Sequence, residues 1–371
     1  MSNRFPLITG RSRGQDLPNS NHAREDAVTQ SEPASLTQFS SDLSRLSSAD
    51  PAAARRAIPG HARESVWKAP DGHEIRRIDW RRPAESRGSL LFLGGRGDAY
   101  EKYLETLEYW FGQGWQVTAI DWRGQGGSGR LGDDDATGHI GDFTHWIDDL
   151  RGFWRDWKAE SGANRPPCGK HVLIGHSMGG QLALRAVAER AVDPRALVLV
   201  APMLGFAGPP LAPWMWHGAA RIMAALGPVS RPAWKMGEKP GQAAGARQGI
   251  LTHDVSRYED ELFWREERPQ LRLGAPSWGW VERAAESMRR TARADMLARV
   301  TLPVLIVSTS ADRLVSARAI RRAVRLLPDA RLLEFGAEAA HEILREGDEV
   351  RGRALARIDA FLAEQLAVEG R

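Results

Sequence analysis

Short apolar runs alternate with segments of helical periodicity along most of the chain. The apolar runs are continuous, which is typical of strands buried on both faces of a sheet. They lie at 89–95, 116–122, 171–175, 196–202, 302–310 and 330–335, and the helical segments lie at 100–114, 143–160, 178–190, 316–327 and about 349–366. This alternation predicts an α/β fold in which a mostly parallel central sheet is flanked by helices.

The N-terminal part of the chain lacks this alternation. Residues 1–60 are rich in Ser, Asn, Gln, Asp, Arg and Pro and have no sustained hydrophobic period. Because such a composition buries too little apolar surface to offset its chain entropy, we predict a disordered or loosely attached extension. Next, Asp71-Gly72 divides two strand-like pieces within residues 65–80, which predicts a β-hairpin.

The alternation also stops at Met203 and resumes only after residue 299. We predict that residues 203–299 form a helical cap insertion over the carboxyl edge of the sheet, where open α/β sheets bind ligands. The core would then comprise residues 61–202 and 300–371. A packed subdomain with no part in the site is the alternative. The insertion holds several of the 14 tryptophans, namely Trp214, Trp216, Trp234, Trp264, Trp278 and Trp280.

A candidate nucleophile lies between a predicted strand and a predicted helix. Gly175-His176-Ser177-Met178-Gly179 has the pattern G-x-S-x-G. In a nucleophile elbow the serine occupies a strained strand-to-helix turn, which is tolerated only where the neighbouring residues are very small. The pattern together with its position predicts that Ser177 is a catalytic nucleophile.

A serine nucleophile needs a base, and the base needs an orienting acid. In this fold the acid and the base follow the serine in that order, on loops after late strands. Asp312 follows the run at 302–310, and His341 follows the run at 330–335 and is the only histidine after Asp312. We therefore predict Asp312 as the acid and His341 as the base; a helix N-terminal aspartate and a surface histidine are the alternative. His176, adjacent to the serine, is expected to have a packing role.

An oxyanion hole requires two backbone N–H groups directed at the developing negative charge. Met178, the residue after the nucleophile, is expected to supply one. Arg96, in the glycine-rich loop after the run at 89–95, is expected to supply the other. The glycines of that loop could equally form an ordinary tight turn.

Two further patterns point to other chemistry and are rejected. Residues 124–129 match G-x-G-x-x-G, but no helical segment begins directly after them, as a dinucleotide site requires. The segment beginning at His341 resembles a zinc motif, but Arg345 occupies the position of the second histidine. We therefore predict no organic cofactor and no metal site.

Composition narrows the class of protein further. The formal charge is only +4, from 51 Lys and Arg against 47 Asp and Glu, without a long run of like charge, which argues against a dedicated nucleic-acid binder. The single cysteine, Cys168, excludes an internal disulfide. No segment resembles a signal peptide or a membrane span, so we predict a cytoplasmic protein and leave open peripheral contact with the inner face of the membrane. Nothing predicts the oligomeric state.

The chain resembles the α/β-hydrolases of the lysophospholipase and monoacylglycerol lipase group over residues 88–361, and its insertion resembles the bacterial lysophospholipase L2 branch. The motifs that carry the resemblance are GGRGDAYEKY, DWRGQGGSGR, GHIGDFTHWIDDL, GHSMGG, STSADRLV and AAHEIL, with LTHDVSRYEDE and LRLGAPSWGWVERA in the insertion. The resemblance implies a Ser177, Asp312 and His341 triad with Arg96 and Met178 as oxyanion donors. Many relatives have His-Gly where this chain has two glycines, which weakens the assignment of the first oxyanion loop.

The resemblance also implies the reaction. It is hydrolysis of a lipid-like acyl ester through an acyl-enzyme, without a metal or an organic cofactor. A cap rich in tryptophan would suit a lipid tail, which gains roughly 0.8 kcal/mol per buried methylene. A phosphorylated headgroup would favour basic residues of the insertion, for which the candidates are Arg221, Arg231, Lys235 and Arg257. A hydrolase of small esters or amides, peptidase-like, and a non-catalytic binding protein on the same scaffold are the alternatives.

Overall fold

A computed structural model describes residues 51–82, 86–162, 170–208, 213–234 and 244–367. Our prediction for the N-terminal extension falls outside these residues as far as residue 50, and Cys168 and Lys235 also lie outside them. These described residues form one compact unit.

The central sheet has eight strands in the order β1-β2-β4-β3-β5-β6-β7-β8. The hairpin predicted around Asp71-Gly72 is formed by β1 and β2, which pair antiparallel, and β2 is also antiparallel to β4. All remaining pairs are parallel. The strands are β1 Ala62–Lys68, β2 Glu74–Trp80, β3 Ser89–Leu93, β4 Gln116–Ile120, β5 His171–His176, β6 Ala196–Val200, β7 Val304–Thr309 and β8 Ala330–Phe335.

The strand period of two explains how the sheet is buried. Along β3, Leu91 and Leu93 face one hydrophobic cluster, whereas Leu90 and Phe92 face the other. Because successive side chains of a strand point to opposite faces, each central strand contributes to both clusters. This arrangement produces the continuous apolar runs from which the parallel sheet was predicted.

Helices cover both faces of the sheet and form most of the insertion. The helices are α1 Pro51–Arg55, α2 Leu104–Gly112, α3 Thr144–Gly162, α4 Ser177–Ala188, α5 Pro213–Ala225, α6 Ala244–Leu251, α7 Val255–Glu267, α8 Trp278–Thr291, α9 Ala294–Leu297, α10 Ala317–Leu326 and α11 Asp348–Ala367. Short 3₁₀ turns lie at Tyr100–Tyr103, Pro269–Leu271 and Ile343–Arg345. Helices α5 to α9 lie within residues 203–299, and the division into a core and a cap remains our proposal.

Part of the predicted extension is a helix in contact with the insertion. Arg55 and Arg56 both pair with Asp260 of α7. The indole N–H of Trp264 donates to the Arg55 carbonyl at 3.2 Å. These contacts attach residues 51–60 to the insertion, and our prediction for the rest of the extension stays a prediction.

Candidate active site

The strand-to-helix turn after β5 positions Ser177. Ser177 begins α4 and has a φ of 51°, in the left-handed region that side chains rarely adopt. A Cβ on Gly179 would lie 2.3 Å from the Gly94 carbonyl oxygen, and one on Gly175 would lie 2.7 Å from the Gly179 carbonyl oxygen. Both glycines of the motif are therefore required by the close approach of neighbouring backbone, and the turn holds the hydroxyl at the carboxyl edge of the sheet.

The structure brings Ser177, His341 and Asp312 together. His341 Nε2 lies 2.9 Å from Ser177 Oγ, and His341 Nδ1 lies 2.8 Å from Asp312 Oδ2. Asp312 follows β7 and His341 follows β8, so parallel strands deliver both side chains to the same edge. The side chains of His341 and Asp312 are both buried, so water does not compete for their hydrogen bond. This arrangement can deprotonate the serine hydroxyl during attack on a carbonyl.

The surroundings of Asp312 keep it charged. Burial alone would raise the pKa of the carboxyl group, but the charge and hydrogen bond of His341 and two backbone N–H groups lower the pKa below its usual value. The N–H groups are those of Leu314 at 2.8 Å and Val315 at 2.9 Å, both directed at Oδ1. Oδ2 therefore remains available to accept from His341, which fixes the ring orientation.

The loop after β3 presents one backbone donor beside Ser177. The N–H of Gly95 donates to Asp98 Oδ2 at 2.7 Å, and the N–H of Gly97 donates to Gln125 Oε1 at 2.6 Å. Between them, the N–H of Arg96 has no acceptor within the described part of the chain, and the same holds for the N–H of Met178. A Cβ on Gly95 would lie 3.0 Å from the Ser177 Cβ, so this loop is packed directly against the serine. The arrangement is consistent with Arg96 and Met178 as oxyanion donors.

A buried network of charges, which our sequence analysis missed, lies behind this loop. Lys102 Nζ lies 2.7 Å from Asp98 Oδ1 and 3.2 Å from Glu261 Oε2, and it also contacts Glu342, the residue after His341. Burial opposes the charge of Lys102, but the three carboxylates outweigh burial and raise its pKa. The network therefore connects the loop after β3 to the loop after β8 that carries His341. The i, i+4 spacing of Asp98 and Lys102 was the one sequence signal for it.

His176 contributes hydrogen bonds in addition to packing. Its Nδ1 lies 2.9 Å from the Tyr103 hydroxyl and 3.1 Å from Asp98 Oδ2. Its ring centroid is 4.9 Å from that of His341. His176 thus contacts the charge network through its Nδ1 and packs against the ring of His341.

The insertion contacts the loop that carries His341 through its backbone. The N–H of Glu342 donates to the Leu251 carbonyl at 2.7 Å, and the N–H of His341 approaches the Ile250 carbonyl at 3.4 Å. Trp264 and Trp280, each 5% exposed, belong to the two hydrophobic clusters of the core. These two tryptophans therefore stabilise the attachment of the insertion to the core, and the lipid-binding wall that we expected stays a prediction.

The basic residues suggested for binding a headgroup differ in whether they are free to contact a substrate. Arg257 is buried and pairs with Glu105, Asp254 and Asp348, so it is not available to a substrate. Arg231 donates to two backbone carbonyls, and Arg221 is exposed to solvent. The expectation for Arg257 was wrong, because its guanidinium is already occupied by carboxylates, two of which, Glu105 and Asp348, are remote in sequence.

The glycine-rich segment at 124–129 forms a turn, and the next helix along the chain, α3, begins only at Thr144. Over the described residues, no group of three or more His, Cys, Asp or Glu side chains is arranged to hold a metal ion. Among the helices that the structure describes, none has the length and apolar character of a membrane span.

The fold and the site define the class of the protein. A mostly parallel sheet, a serine at a strained strand-to-helix turn, and an acid and a histidine after later strands are features of α/β-hydrolases of the serine-hydrolase type. The fold matches a soluble variant of monoglyceride lipase from Saccharomyces cerevisiae with a TM-score of 0.65 at 16% identity, over 83% of this chain and 95% of that chain. It matches Paleococcus ferrophilus monoacylglycerol lipase with a TM-score of 0.57 at 21% identity, over 78% of this chain and 99% of that chain.

Sequence comparison identifies the family. Residues 84–348 match the family described as serine aminopeptidase, S33, and the chain belongs to that family. It is 30% identical to lysophospholipase L2 of Escherichia coli (strain K12) over 309 residues, which are 80% of this chain and 86% of the relative. It is 25% identical to monoglyceride lipase of Rattus norvegicus over 199 residues, which are 53% of this chain and 60% of the relative. The predicted resemblance is confirmed, and the chain is an ester hydrolase.

Proposed function

We propose that this enzyme cleaves the acyl ester of lysophospholipids or monoacylglycerols, with Ser177, His341 and Asp312 as a catalytic triad. The observation that supports the triad most directly is the continuous relay of 2.9 Å and 2.8 Å contacts among these three side chains. The relatives named lysophospholipase L2 and monoglyceride lipase support the substrate class.

In the first half of the reaction, His341 Nε2 accepts the Ser177 hydroxyl proton as Oγ attacks the ester carbonyl. Asp312 holds the histidine in the tautomer that carries its proton on Nδ1, and it stabilises the imidazolium that forms. The backbone N–H groups of Arg96 and Met178 donate to the tetrahedral oxyanion. Collapse of this intermediate breaks the ester bond, and His341 returns the proton to the departing glycerol oxygen.

In the second half, water attacks the acyl-enzyme. His341 now accepts a proton from the water, and the same two N–H groups stabilise the second oxyanion. Collapse breaks the bond between Ser177 Oγ and the acyl carbon, His341 returns the proton to Oγ, and the fatty acid leaves. Every proton transfer in this scheme passes through His341.

A peptidase-like activity is the second candidate, because the family description names an aminopeptidase. An aminopeptidase must bind the α-ammonium group of its substrate, usually with a carboxylate. The carboxylates closest along the chain to the loops of the base and the oxyanion donors are Glu342 and Asp98, and both are paired with Lys102. These pairings favour an ester substrate without a positive charge beside the scissile bond.

The test compares fatty-acid release from a lysophospholipid and from a monoacylglycerol of equal chain length by wild type and by Ser177→Ala. We expect wild type to hydrolyse at least one of them and Ser177→Ala to lose several orders of magnitude in kcat. Wild-type release that is confined to aminoacyl substrates would select the peptidase-like alternative. Absence of turnover on every ester and amide would select a non-catalytic binding protein.

We also propose that the enzyme works in the cytoplasm, in peripheral contact with the inner face of the membrane, where its lipid substrates would lie. Recovery of the protein from the cytosolic fraction, with a part that salt releases from membranes, would support this location. Recovery outside the cytoplasm and away from the inner face of the membrane would contradict it.

A further inference from the structure

The side chain of Arg96 lies between the oxyanion loop and the insertion. Its Nη2 donates to the Gly274 carbonyl at 2.5 Å, and its guanidinium lies 5.3 Å from the centroid of the Trp280 ring. A Cβ on Gly138 would lie 2.7 Å from Nη2, so the absence of a side chain at that position makes room for the guanidinium. The residue is nevertheless partly accessible to solvent.

Within the described part of the chain, no carboxylate pairs with Arg96, and its buried Nε has no hydrogen-bond acceptor. Three other cations of this region have carboxylate partners: Lys102 pairs with Asp98, Arg345 pairs with Glu342, and Arg247 pairs with Glu261. A buried charge without a partner is costly, and one carbonyl and one aromatic ring compensate only in part. Arg96 therefore has donor capacity for an anion that the protein itself does not supply.

The pKa of Arg96 reflects the same lack of a carboxylate partner. Burial, together with the positive charge of Arg247, lowers the pKa of Arg96 to about 9. The guanidinium still carries its charge at neutral pH, and an anion beside it would stabilise that charge. A planar guanidinium with free N–H groups matches the geometry of a phosphate.

The position of Arg96 relative to Ser177 indicates which anion fits. The backbone N–H of Arg96 is directed at the ester carbonyl in the proposed reaction, and its side chain extends from there along the boundary with the insertion. In a lysophospholipid the glycerol unit separates the ester carbonyl from the phosphate by a span comparable to an arginine side chain. One residue can thus contact both groups of the same substrate molecule.

We propose that the Arg96 guanidinium binds the phosphate of a lysophospholipid headgroup and thereby favours lysophospholipids over neutral monoacylglycerols. This inference rests on the proposed function, because it assigns a substrate group to a residue of the same site. Arg96 thereby takes the headgroup role that we had predicted for Arg257, because Arg257 is paired with carboxylates.

The test measures a ratio of specificities. Wild type, Arg96→Gln and Arg96→Lys are assayed below the critical micelle concentration on octanoyl lysophosphatidylcholine and on monooctanoylglycerol. The ratio of the two kcat/KM values is the readout, because both substrates develop the same oxyanion and any shift of the Arg96 backbone affects both. We expect Arg96→Gln to lower the ratio roughly 10- to 100-fold, as loss of a charged hydrogen bond to phosphate implies. Arg96→Lys should retain part of the preference, since it keeps the charge without the fork geometry.

Arg272→Gln is the matched control, because Arg272 is an exposed arginine two residues before Gly274, whose carbonyl accepts from Arg96. The ratio of kcat/KM values for Arg272→Gln should equal that of wild type. A ratio for Arg96→Gln within twofold of wild type would overturn the proposal. Equal loss of the ratio in Arg272→Gln would also overturn it, because surface charge in general would then account for the preference.

A binding measurement keeps this inference separate from the proposed function. Octyl glycerol ether and its phosphocholine ester cannot be hydrolysed, and their Kd values are measured by calorimetry on the same variants. Tighter binding of the phosphocholine ether that depends on Arg96 supports the phosphate site even if neither ester is cleaved, in which case only the proposed function fails. Equal Kd values for the two ethers in wild type would refute the phosphate site, whatever the enzyme hydrolyses.

Discussion

Substitution of Asp98 is the most informative test of the residues that surround the site without contacting the reacting atoms. Its carboxylate accepts from the Gly95 N–H at 2.7 Å, from the Tyr103 hydroxyl at 2.9 Å and from Lys102 Nζ at 2.7 Å. Replacement by asparagine keeps the shape but turns one oxygen into an NH₂ group. That group must then face either the Lys102 ammonium or the Gly95 N–H, and both are donors.

The magnitude follows from the burial of the network. Removal of one partner from a buried ion pair typically costs about 3–5 kcal/mol. Lys102 keeps Glu261 and Glu342 as partners. We therefore expect Asp98→Asn to lower the free energy of unfolding by the lower end of this range, about 3 kcal/mol. If the Gly95 contact is lost, the Arg96 N–H moves away from the oxyanion. Loss of one such donor lowers kcat by about 10²- to 10³-fold, and we expect the smaller factor because the loop stays attached through Gln125.

The assay combines urea denaturation with kcat on a short-chain p-nitrophenyl ester. Asp295→Asn is the control, since Asp295 is exposed and its ion pair with Arg293 lies on the surface, and neither quantity should change measurably. A double-mutant cycle with Lys102→Met measures the coupling between Asp98 and Lys102 directly. Stability within 1 kcal/mol of wild type together with an unchanged kcat for Asp98→Asn would refute the role assigned to this network.

Three further substitutions test other parts of the account. Asp312→Asn should lower kcat about 10⁴-fold by favouring the wrong tautomer of the base. Because the pKa of Asp312 is lowered in the folded state, its charge stabilises the fold at neutral pH, and urea titrations of wild type should show this contribution lost as the pH falls below 3.8. A stability difference between wild type and Asp312→Asn that persists in acid would contradict this. Gly179→Ala should cost about 1–3 kcal/mol and most activity, because its Cβ meets the Gly94 carbonyl; Gly112→Ala, which meets open space, should be tolerated in the same thermal and kinetic assays. Arg257→Gln should lower the denaturation midpoint and leave the ratio of kcat/KM for phosphorylated and neutral lipids unchanged; a changed ratio would return Arg257 to the headgroup site.

The order of the elements and the three residues of the relay were predictable from sequence for a physical reason. The central strands are buried on both faces, so their apolar runs are continuous and unmistakable. Loops at one edge of a parallel sheet converge, so Ser177, Asp312 and His341 could be selected from their positions after β5, β7 and β8. Local pattern and chain order carried this part of the prediction.

The environment of the site could not be predicted in the same way. Arg257 was taken as a free cation, and its partners Glu105 and Asp348 lie far from it in sequence. Trp264 and Trp280 were taken as pocket residues because aromatic side chains suit both a lipid pocket and a core. Only the packing of the insertion on the core distinguishes these roles, and a single sequence does not contain that information.

The central claim is that His341 and Asp312 activate Ser177 as a nucleophile, and covalent labelling tests it most directly. Wild type, Ser177→Ala and His341→Ala are treated with a fluorophosphonate probe, and the modified peptide is identified by mass spectrometry. We predict rapid labelling of wild type at Ser177 alone, none in Ser177→Ala, and labelling slowed by orders of magnitude in His341→Ala. Labelling of another residue, or an undiminished rate in His341→Ala, would contradict the account.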